Sequence, residues 1–341
     1  MSRAFDLIAF DIGGANLKAS DGLGWSANLP FPLWKRHREL ATALGTLVAA
    51  RRPRRVVATM TGEICDCYPS RSAGVAQIAE SLAKAASCCP EPAGLYLVDG
   101  RIVSPAEAAA AWPLAAASNW HALARLAAAC LTSGRGLLLD VGSTTTDIVP
   151  LADGHPAATA HDDAGRMLAG ELVYTGVERT NVAAIASQLP HRGRERPLAS
   201  ELFAESRDAW LVLGGLPETE AAGDTADGRP ATREAARVRL ARTMLLDPED
   251  FTAADALAAA DAIAERQAAA IAAALVKVAD RAGGPPARIV LSGHGDQLAE
   301  RALAKAGWRP ELARLAELIG PAAARVAPAH ALACIAREDV P

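Results

Sequence analysis

Aromatic side chains are scarce: six Trp, three Tyr and five Phe make up 4% of the 341 residues. Alanine is abundant, so the helices are expected to pack closely through small side chains. The six cysteines include Cys65-x-Cys67 and Cys88-Cys89, lack paired C-x-x-C spacing and have no accompanying His cluster, which argues against a zinc site and for reduced, buried thiols. Charge of one sign is also missing. Lys and Arg number 35 against 39 Asp and Glu, a formal net charge of -4, which argues against wholesale nucleic-acid binding. The basic clusters at Lys35 to Arg38 and Arg51 to Arg55 read as a solvated helix end and loop. The Ala-rich stretch from Ala106 to Leu131 is broken by Pro113, Asn119, His121 and Arg125, so it is no membrane span. With the first strand starting within a few residues of Met1, no signal peptide is expected and a cytoplasmic location is. Neither a Walker A motif nor a Rossmann glycine fingerprint occurs, which leaves P-loop and dinucleotide chemistry unsupported.

What remains is a globular composition, 51% hydrophobic and 22% charged, in a chain long enough for two domains of ordinary size. Residues 139 to 150 organise it. An apolar run delivers Asp140 into Gly142-Ser143-Thr144-Thr145-Thr146, and a second strand resumes through Asp147. Gly142 lets the backbone approach a ligand closely, while Ser143 to Thr146 offer hydroxyls and amides to anionic oxygens. Two carboxylates flanking such a turn suit a hard cation such as Mg2+, which shares oxygen ligands with phosphates. A plain hairpin with a polar tip is the alternative. An earlier copy favours the phosphate site: Leu7-Ile8-Ala9-Phe10-Asp11-Ile12-Gly13-Gly14-Ala15-Asn16-Leu17-Lys18 again runs strand, Asp, glycine turn and strand. Repetition at half-chain spacing implies two similar domains facing one cleft.

Helical spacing covers 36–50, with Leu40, Leu44, Leu47 and Val48 on one face, and 72–87; Val56 to Met60 and Gly94 to Val98 read as strands. One or two helices separated near Pro113 follow over Ala106 to Leu131. The order places an N-terminal domain over 1–134 and a C-terminal domain over 135–341. The less regular stretch at about 158–235 reads as an insertion into the second domain. Thr252 caps a long helix to Ala282, Ile289 to Ser292 is a strand entering the turn Gly293-His294-Gly295, and a last helix spans about Ala322 to Arg337, a candidate to return to the first domain. Thr61 and Glu63 lie in a polar loop at a strand end, where ligands collect in open α/β sheets. Glu63 is therefore a candidate acid or base, or else a solvent-facing loop glutamate.

Three glycine turns, Asp11 to Asn16, Asp140 to Asp147 and Ser292 to Gly295, set in two similar α/β domains, resemble the actin, sugar-kinase and Hsp70 ATPase superfamily. That resemblance implies two actin-like (ribonuclease H-like) domains around a central phosphate-binding cleft. A narrower resemblance covers nearly the whole chain: Gly13 to Ala19, Thr59 to Glu63, Asp140 to Ile148, Gly170 to Val177 with Arg179 and Thr180, and Asp224 to Arg229. These blocks resemble the hydantoinase/oxoprolinase-related proteins of the tetrahydromethanopterin-linked one-carbon pathway. Its archaeal members are methanofuran synthases, which join an aminomethylfuran-methyl diphosphate to the phenol of a γ-glutamyl-tyramine and release pyrophosphate. Bacterial members serve formaldehyde-oxidising pathways and would make methylofuran from a tyrosine-based acceptor.

The resemblance implies an ether-forming transferase whose partners are a small-molecule diphosphate and a phenolic acceptor, with Mg2+ as cofactor, no nucleic acid, no membrane, and a homodimer left open. By this reading Asp11, Asp140 and Asp147 hold the metal, directly or through water. Lys18, Gly13, Gly14, Asn16, Gly142, Ser143, Thr144, Thr145, Thr146, Gly293 and Gly295 hold phosphates. The phenol, with an ordinary pKa near 10, needs a base, for which Glu63 and Glu171 are the candidates. Arg166 and Arg179 would meet acceptor carboxylates, with Thr61, Tyr174, Thr180, Asp224 and Asp227 as further substrate contacts. An ATP-dependent small-molecule kinase, a hydantoinase-like amidohydrolase and a non-catalytic actin-like binding protein remain alternatives.

Overall fold

Strand β1, Leu7–Ile12, has all six residues buried, so both of its faces must be covered. The computed structural model, which describes residues 6–131, 134–221 and 223–338, shows how. Ile8, Phe10 and Ile12 share a core with Leu44, Val48, Val75, Ile78 and Leu82 from the helices Leu40–Arg51 and Arg71–Ala85. Leu7 and Ala9, displaced by one residue and hence on the other face, join Val57, Tyr96, Ala122, Leu332 and Ile335.

Around β1 lie β2 (Asn16–Ser20), β3 (Ser26–Pro30), β4 (Arg55–Met60), β5 (Gly94–Tyr96) and β6 (Ile102–Val103), in the order β3-β2-β1-β4-β5-β6. β2 is antiparallel to β1 and β3, β4 is parallel to β1 and β5, and β6 turns back antiparallel. The second sheet contains β7 (Arg135–Val141), β8 (Thr146–Ala152), β9 (His155–Pro156) and β10 (Leu172–Val173), with two later strands; β11 (Gln188–His191) and β12 (Arg194–Pro197) form a separate hairpin. With β13 (Arg288–Gly293) and β14 (Glu311–Arg314), the second sheet runs β10-β8-β7-β13-β14, and β9 pairs with β8. In both sheets a first hairpin strand is flanked by its return strand on one side and later strands on the other. The repeat read from the two Asp-Gly turns is thus a repeat of strand order.

The chain folds as two compact units. One comprises Met1–Leu138, Val149–Arg166 and Ala313–Pro341, the other Leu139–Ile148 and Met167–Leu312. The last helix, Ala327–Glu338, belongs to the first. The expected boundary at 134/135 abuts residues 132 and 133, which lie outside the described residues.

Several local expectations shift. The expected break near Pro113 is present but yields three helices, Pro105–Ala110, Trp112–Ala115 and Asn119–Ala129, with Pro113 in the first turn of the middle one, where a proline is tolerated. The terminal helix is two pieces, Pro321–Ala324 and Ala327–Glu338. Within the expected insertion, Leu172–Val173 is a sheet strand, paired in register with Asp147 and Thr146. The long helix Ala253–Arg281 starts as the pattern requires: Thr252 Oγ1 accepts from the Asp255 amide while the Asp255 carboxylate accepts from the Thr252 amide. No described helix is long and apolar enough to cross a membrane.

Candidate active site residues in the two units

In the first unit the antiparallel register sets Asp11 opposite Lys18, and the parallel register sets it beside Thr59. Lys18 Nζ lies 3.7 Å from Asp11 Oδ2; Asp11 Oδ1 is buried with no hydrogen-bond partner. Burial pushes the Asp11 carboxyl above the ordinary range, against the pull of Lys18. The following turn closes through Gly13 N donating to Asn16 O at 3.0 Å. Thr61 N donates to Ile12 O at 3.0 Å, and a Cβ on Gly62 would lie 3.1 Å from the same carbonyl. The Thr61-Gly62-Glu63 segment is therefore fastened to the end of β1, which brings Gly13, Gly14, Thr61 and Glu63 into one neighbourhood.

Glu63 is buried rather than solvent-facing. Gly74 in the helix Arg71–Ala85 packs so tightly on the Glu63 backbone that a Cβ would come within 2.4 Å of Glu63 O. The same helix supplies Arg71, whose Nη2 donates to Glu63 Oε1 at 3.2 Å and lies 3.4 Å from Asp163 Oδ2. Glu63 Oε2 has no partner. Burial pushes this carboxyl up, with the Arg71 guanidinium pulling the other way. Arg166 is buried, its guanidinium 4.1 Å from the Trp120 ring centroid. Next to Trp120, the His121 imidazole is pushed down to about 4 by burial and by neighbouring Arg125.

In the second unit Asp140 is the penultimate residue of β7 and Asp147 the second of β8. The turn between them closes through Gly142 N to Thr145 O at 2.9 Å. Two other segments dock on it. Val177 N donates to Gly142 O at 3.1 Å, and the amides of Glu178 and Arg179 both donate to Ser143 O at 2.9 Å. Just past the end of β13, the amides of His294 and Gly295 donate to Val141 O at 3.1 and 3.2 Å. Only glycines permit these approaches: a Cβ on Gly176 would stand 2.5 Å from Gly142 O, and one on Gly293, at φ +89°, 2.1 Å from Val141 O and 3.0 Å from Asp140 Oδ1. Thr146 Oγ1 donates to Thr175 O at 2.8 Å, and Thr180 Oγ1 accepts from Gly176 N at 3.1 Å. Buried Gln267 donates to Thr175 Oγ1 and Gly176 O, both at 2.8 Å, and accepts from Trp210 Nε1 at 3.0 Å.

Asp140, the Gly142–Thr146 turn, Arg179, Thr180, Gly293 and Gly295 are thus gathered at one end of β7. Other expected contacts are either taken up by protein partners or exposed. Asp224 accepts a bidentate pair from Arg207 at 2.6 and 3.1 Å. Asp227 accepts from fully buried Arg239 at 3.0 Å, in a pair with Asp208. Tyr174 is exposed, whereas Glu171 is fully buried, with Arg281 Nη2 3.8 Å from its Oε1. Residues not foreseen as contributors are Arg71, Arg207, Gln267 and the pair Glu178 and His294. For His294 a signal existed, its place between two of the turn glycines.

Among the described residues no group of three or more His, Cys, Asp or Glu could hold a metal ion by itself. The donor chemistry still suits a hard cation in each unit taken by itself: Asp11 keeps a buried oxygen without a partner in the first, and the Asp140 and Asp147 carboxylates flank the turn in the second. Such an ion would complete its shell with substrate oxygens and water.

Strand order and turns define an α/β protein of two compact units, with Asp-Gly turns at corresponding strand ends of its two mixed sheets. The chain belongs to the hydantoinase/oxoprolinase family, whose model matches residues 54–336. It is 34% identical over 246 residues to the (4-{4-[2-(gamma-L-glutamylamino)ethyl]phenoxymethyl}furan-2-yl)methanamine synthase of Methanocaldococcus jannaschii, covering 71% of this chain and 72% of that one. A second synthase of that name, from Methanococcus vannielii, is 33% identical over 121 residues, 36% of this chain and 54% of its own length. Among solved structures, nucleotide-free acetone carboxylase aligns with a TM-score of 0.49 at 14% identity, over 94% of this chain and 51% of that one. The ROK hexokinase of Thermus thermophilus aligns at 0.45 and 14%, over 97% and 99%.

Proposed function

We propose that the chain is an ether-forming transferase that joins a furanylmethyl diphosphate to the phenol oxygen of a tyramine- or tyrosine-type acceptor and releases pyrophosphate. The likeness to the Methanocaldococcus jannaschii synthase, over nearly three quarters of each chain, carries this reading. The phenol oxygen supplies an electron pair to the new C–O bond, and the bond to the diphosphate breaks with its pair on the leaving oxygen. Glu63 takes the phenolic proton; burial makes its carboxylate a stronger base, and Arg71 orients it. Glu171, fully buried with Arg281 3.8 Å away, is the second candidate for that base.

The amides and hydroxyls of Gly142 to Thr146 bind the diphosphate, and the Gly13-Gly14 turn with Asn16 and Lys18 provides a second anion-binding element. Mg2+ would be held by Asp140 and Asp147 in the second unit, and Asp11 offers the same donor in the first. When bound it would neutralise charge growing on the leaving group. Arg179, whose backbone amide donates to Ser143 O, is the proposed guanidinium for an anionic substrate group.

The test is a pyrophosphate-release assay with the furanylmethyl diphosphate, tyrosine or glutamyl-tyramine acceptors and Mg2+, with ATP in a parallel reaction. Acceptor-dependent pyrophosphate without ATP is the expected result. Phosphate or ADP formed only from ATP would move the chain to the kinase or amidohydrolase class.

A further inference from the structure

Glu178 and His294 are 116 residues apart, yet their backbones dock on the same stretch, at Ser143 O and Val141 O. Their side chains then meet: His294 Nε2 lies 2.8 Å from Glu178 Oε1. The other Glu178 oxygen accepts from Arg207 Nη2 at 2.7 Å, and Arg207 is itself gripped bidentately by Asp224. Hydrogen bonding from His294 and the charge of Arg207 outweigh burial and hold the Glu178 carboxyl below the usual range. An ionised carboxylate only accepts, so His294 carries its proton on Nε2. The side chain of His294 is 45% exposed. Its Nδ1 makes no hydrogen bond to any described residue.

A charge network of four residues is more than a surface histidine needs, because exposed ion pairs contribute little stability. It does fix the orientation of the ring, as a carboxylate behind a histidine commonly does at ligand sites. We propose that His294, held by Glu178, is a binding residue for the diphosphate group, donating Nδ1–H to a phosphate oxygen seated at the Gly142–Thr146 turn. The inference rests on the reading of that turn as the diphosphate site. With a carboxylate on one nitrogen and a diphosphate oxygen on the other, both ring nitrogens face acceptors, and each hydrogen bond is one the ring donates. During ether formation the C–O bond breaks with its electron pair on the diphosphate, the phenol oxygen bonds to carbon, and the phenolic proton goes to the base. The His294 proton stays on Nδ1, in a hydrogen bond that strengthens as charge develops on the leaving oxygen.

The experiment is calorimetric titration of the full-length protein with sodium pyrophosphate in Mg2+ buffer, comparing wild type, His294→Ala and Glu178→Gln. Wild type is expected to bind, and His294→Ala to bind about tenfold to a hundredfold more weakly, the range for a hydrogen bond to a charged group. Glu178→Gln, which keeps an acceptor but removes the charge, is expected to fall between them. A second readout is taken on the wild-type protein. In wild type, one imidazole ring in a long-range 1H–15N spectrum, the one absent from a His294→Gln sample or assigned through its backbone, should shift at Nδ1 when pyrophosphate is added. Unchanged affinity in a folded His294→Ala protein, or an unmoved ring under saturating pyrophosphate, overturns the role of His294 and leaves the turn reading standing. Absence of pyrophosphate binding by wild type overturns both.

Discussion

A buried carboxyl with one unpaired oxygen costs stability, and Glu63 is such a group. Its pKa is raised in the folded state, so the folded protein holds its proton more tightly than the unfolded chain does. That contribution is fully present below the unfolded value of 4.5 and is lost as pH rises through the folded one. Glu63→Gln is therefore expected to lower turnover by about a hundredfold to ten-thousandfold, the usual weight of a general base, while its thermal midpoint relative to wild type improves from pH 4 to pH 8. A variant whose activity and stability fall together at every pH would make Glu63 structural. Glu205 gives the same sign with a defined window. Its carboxyl, pushed up to about 7 by burial, is the N-cap of the helix Ser206–Leu213. Stability from its proton is present below 4.5 and lost through about 7. Glu205→Gln keeps a capping oxygen, so it should match wild type near pH 4.5 and exceed it by roughly 1 kcal/mol at pH 8, solvent screening having reduced the full value. Urea midpoints at the two pH values decide this.

At the scale of elements, the glycine turns at the ends of β1, β7 and β13 are what the sequence made readable. A buried strand ending in Asp and then glycine leaves a local signature, and the need for close approach is visible in the residue type. Gly293 illustrates it: φ is +89° and a Cβ would overlap Val141 O. Gly293→Ala should cost about 2–4 kcal/mol, because strain and overlap with backbone add. Gly154→Ala, with φ +80° but open space around it, should cost only about 1–2 kcal/mol. Equal urea midpoints for the two would show that β13 is not pressed against β7 as described. The residues that lock the turns in place left no such signature. Arg207 reaches Glu178 across 29 positions and Gln267 reaches Thr175 across 92. Gln267 is one amide within an alanine-rich buried stripe, where periodicity records only that the face is inward. The burial of Glu63 was equally hidden, since it depends on the fit of Gly74 against its backbone.

At the scale of the molecule, the first unit is discontinuous, and its completion waits for the last helix. Ala327–Glu338 covers the face of the first sheet formed by Leu7, Ala9, Val57 and Tyr96, contributing Ala331, Leu332, Ala333, Ile335 and Ala336 to that core. Polar contacts add register: Ser20 Oγ is 3.3 Å from His330 Nδ1, and Arg337 Nε donates to Asp21 O at 2.8 Å. Gly22 lies so near that a Cβ would be 3.1 Å from the Ala333 Cβ. Full burial of Leu332 and Ile335 is worth about 1.5–3 kcal/mol each, and the alanines add roughly 1 kcal/mol apiece. That sum is comparable to the whole stability of a typical domain, about 5–15 kcal/mol. A chain ending at Val326 is therefore expected to lose the cooperative unfolding of the first unit and to bind a hydrophobic dye, because Leu7, Ala9, Val57, Tyr96 and Ala122 would lose their cover. The milder Leu332→Ala keeps the helix and should lower stability by about 2–5 kcal/mol. If the truncated chain instead melts like the full one, the last helix is an accessory to the first unit rather than part of its core.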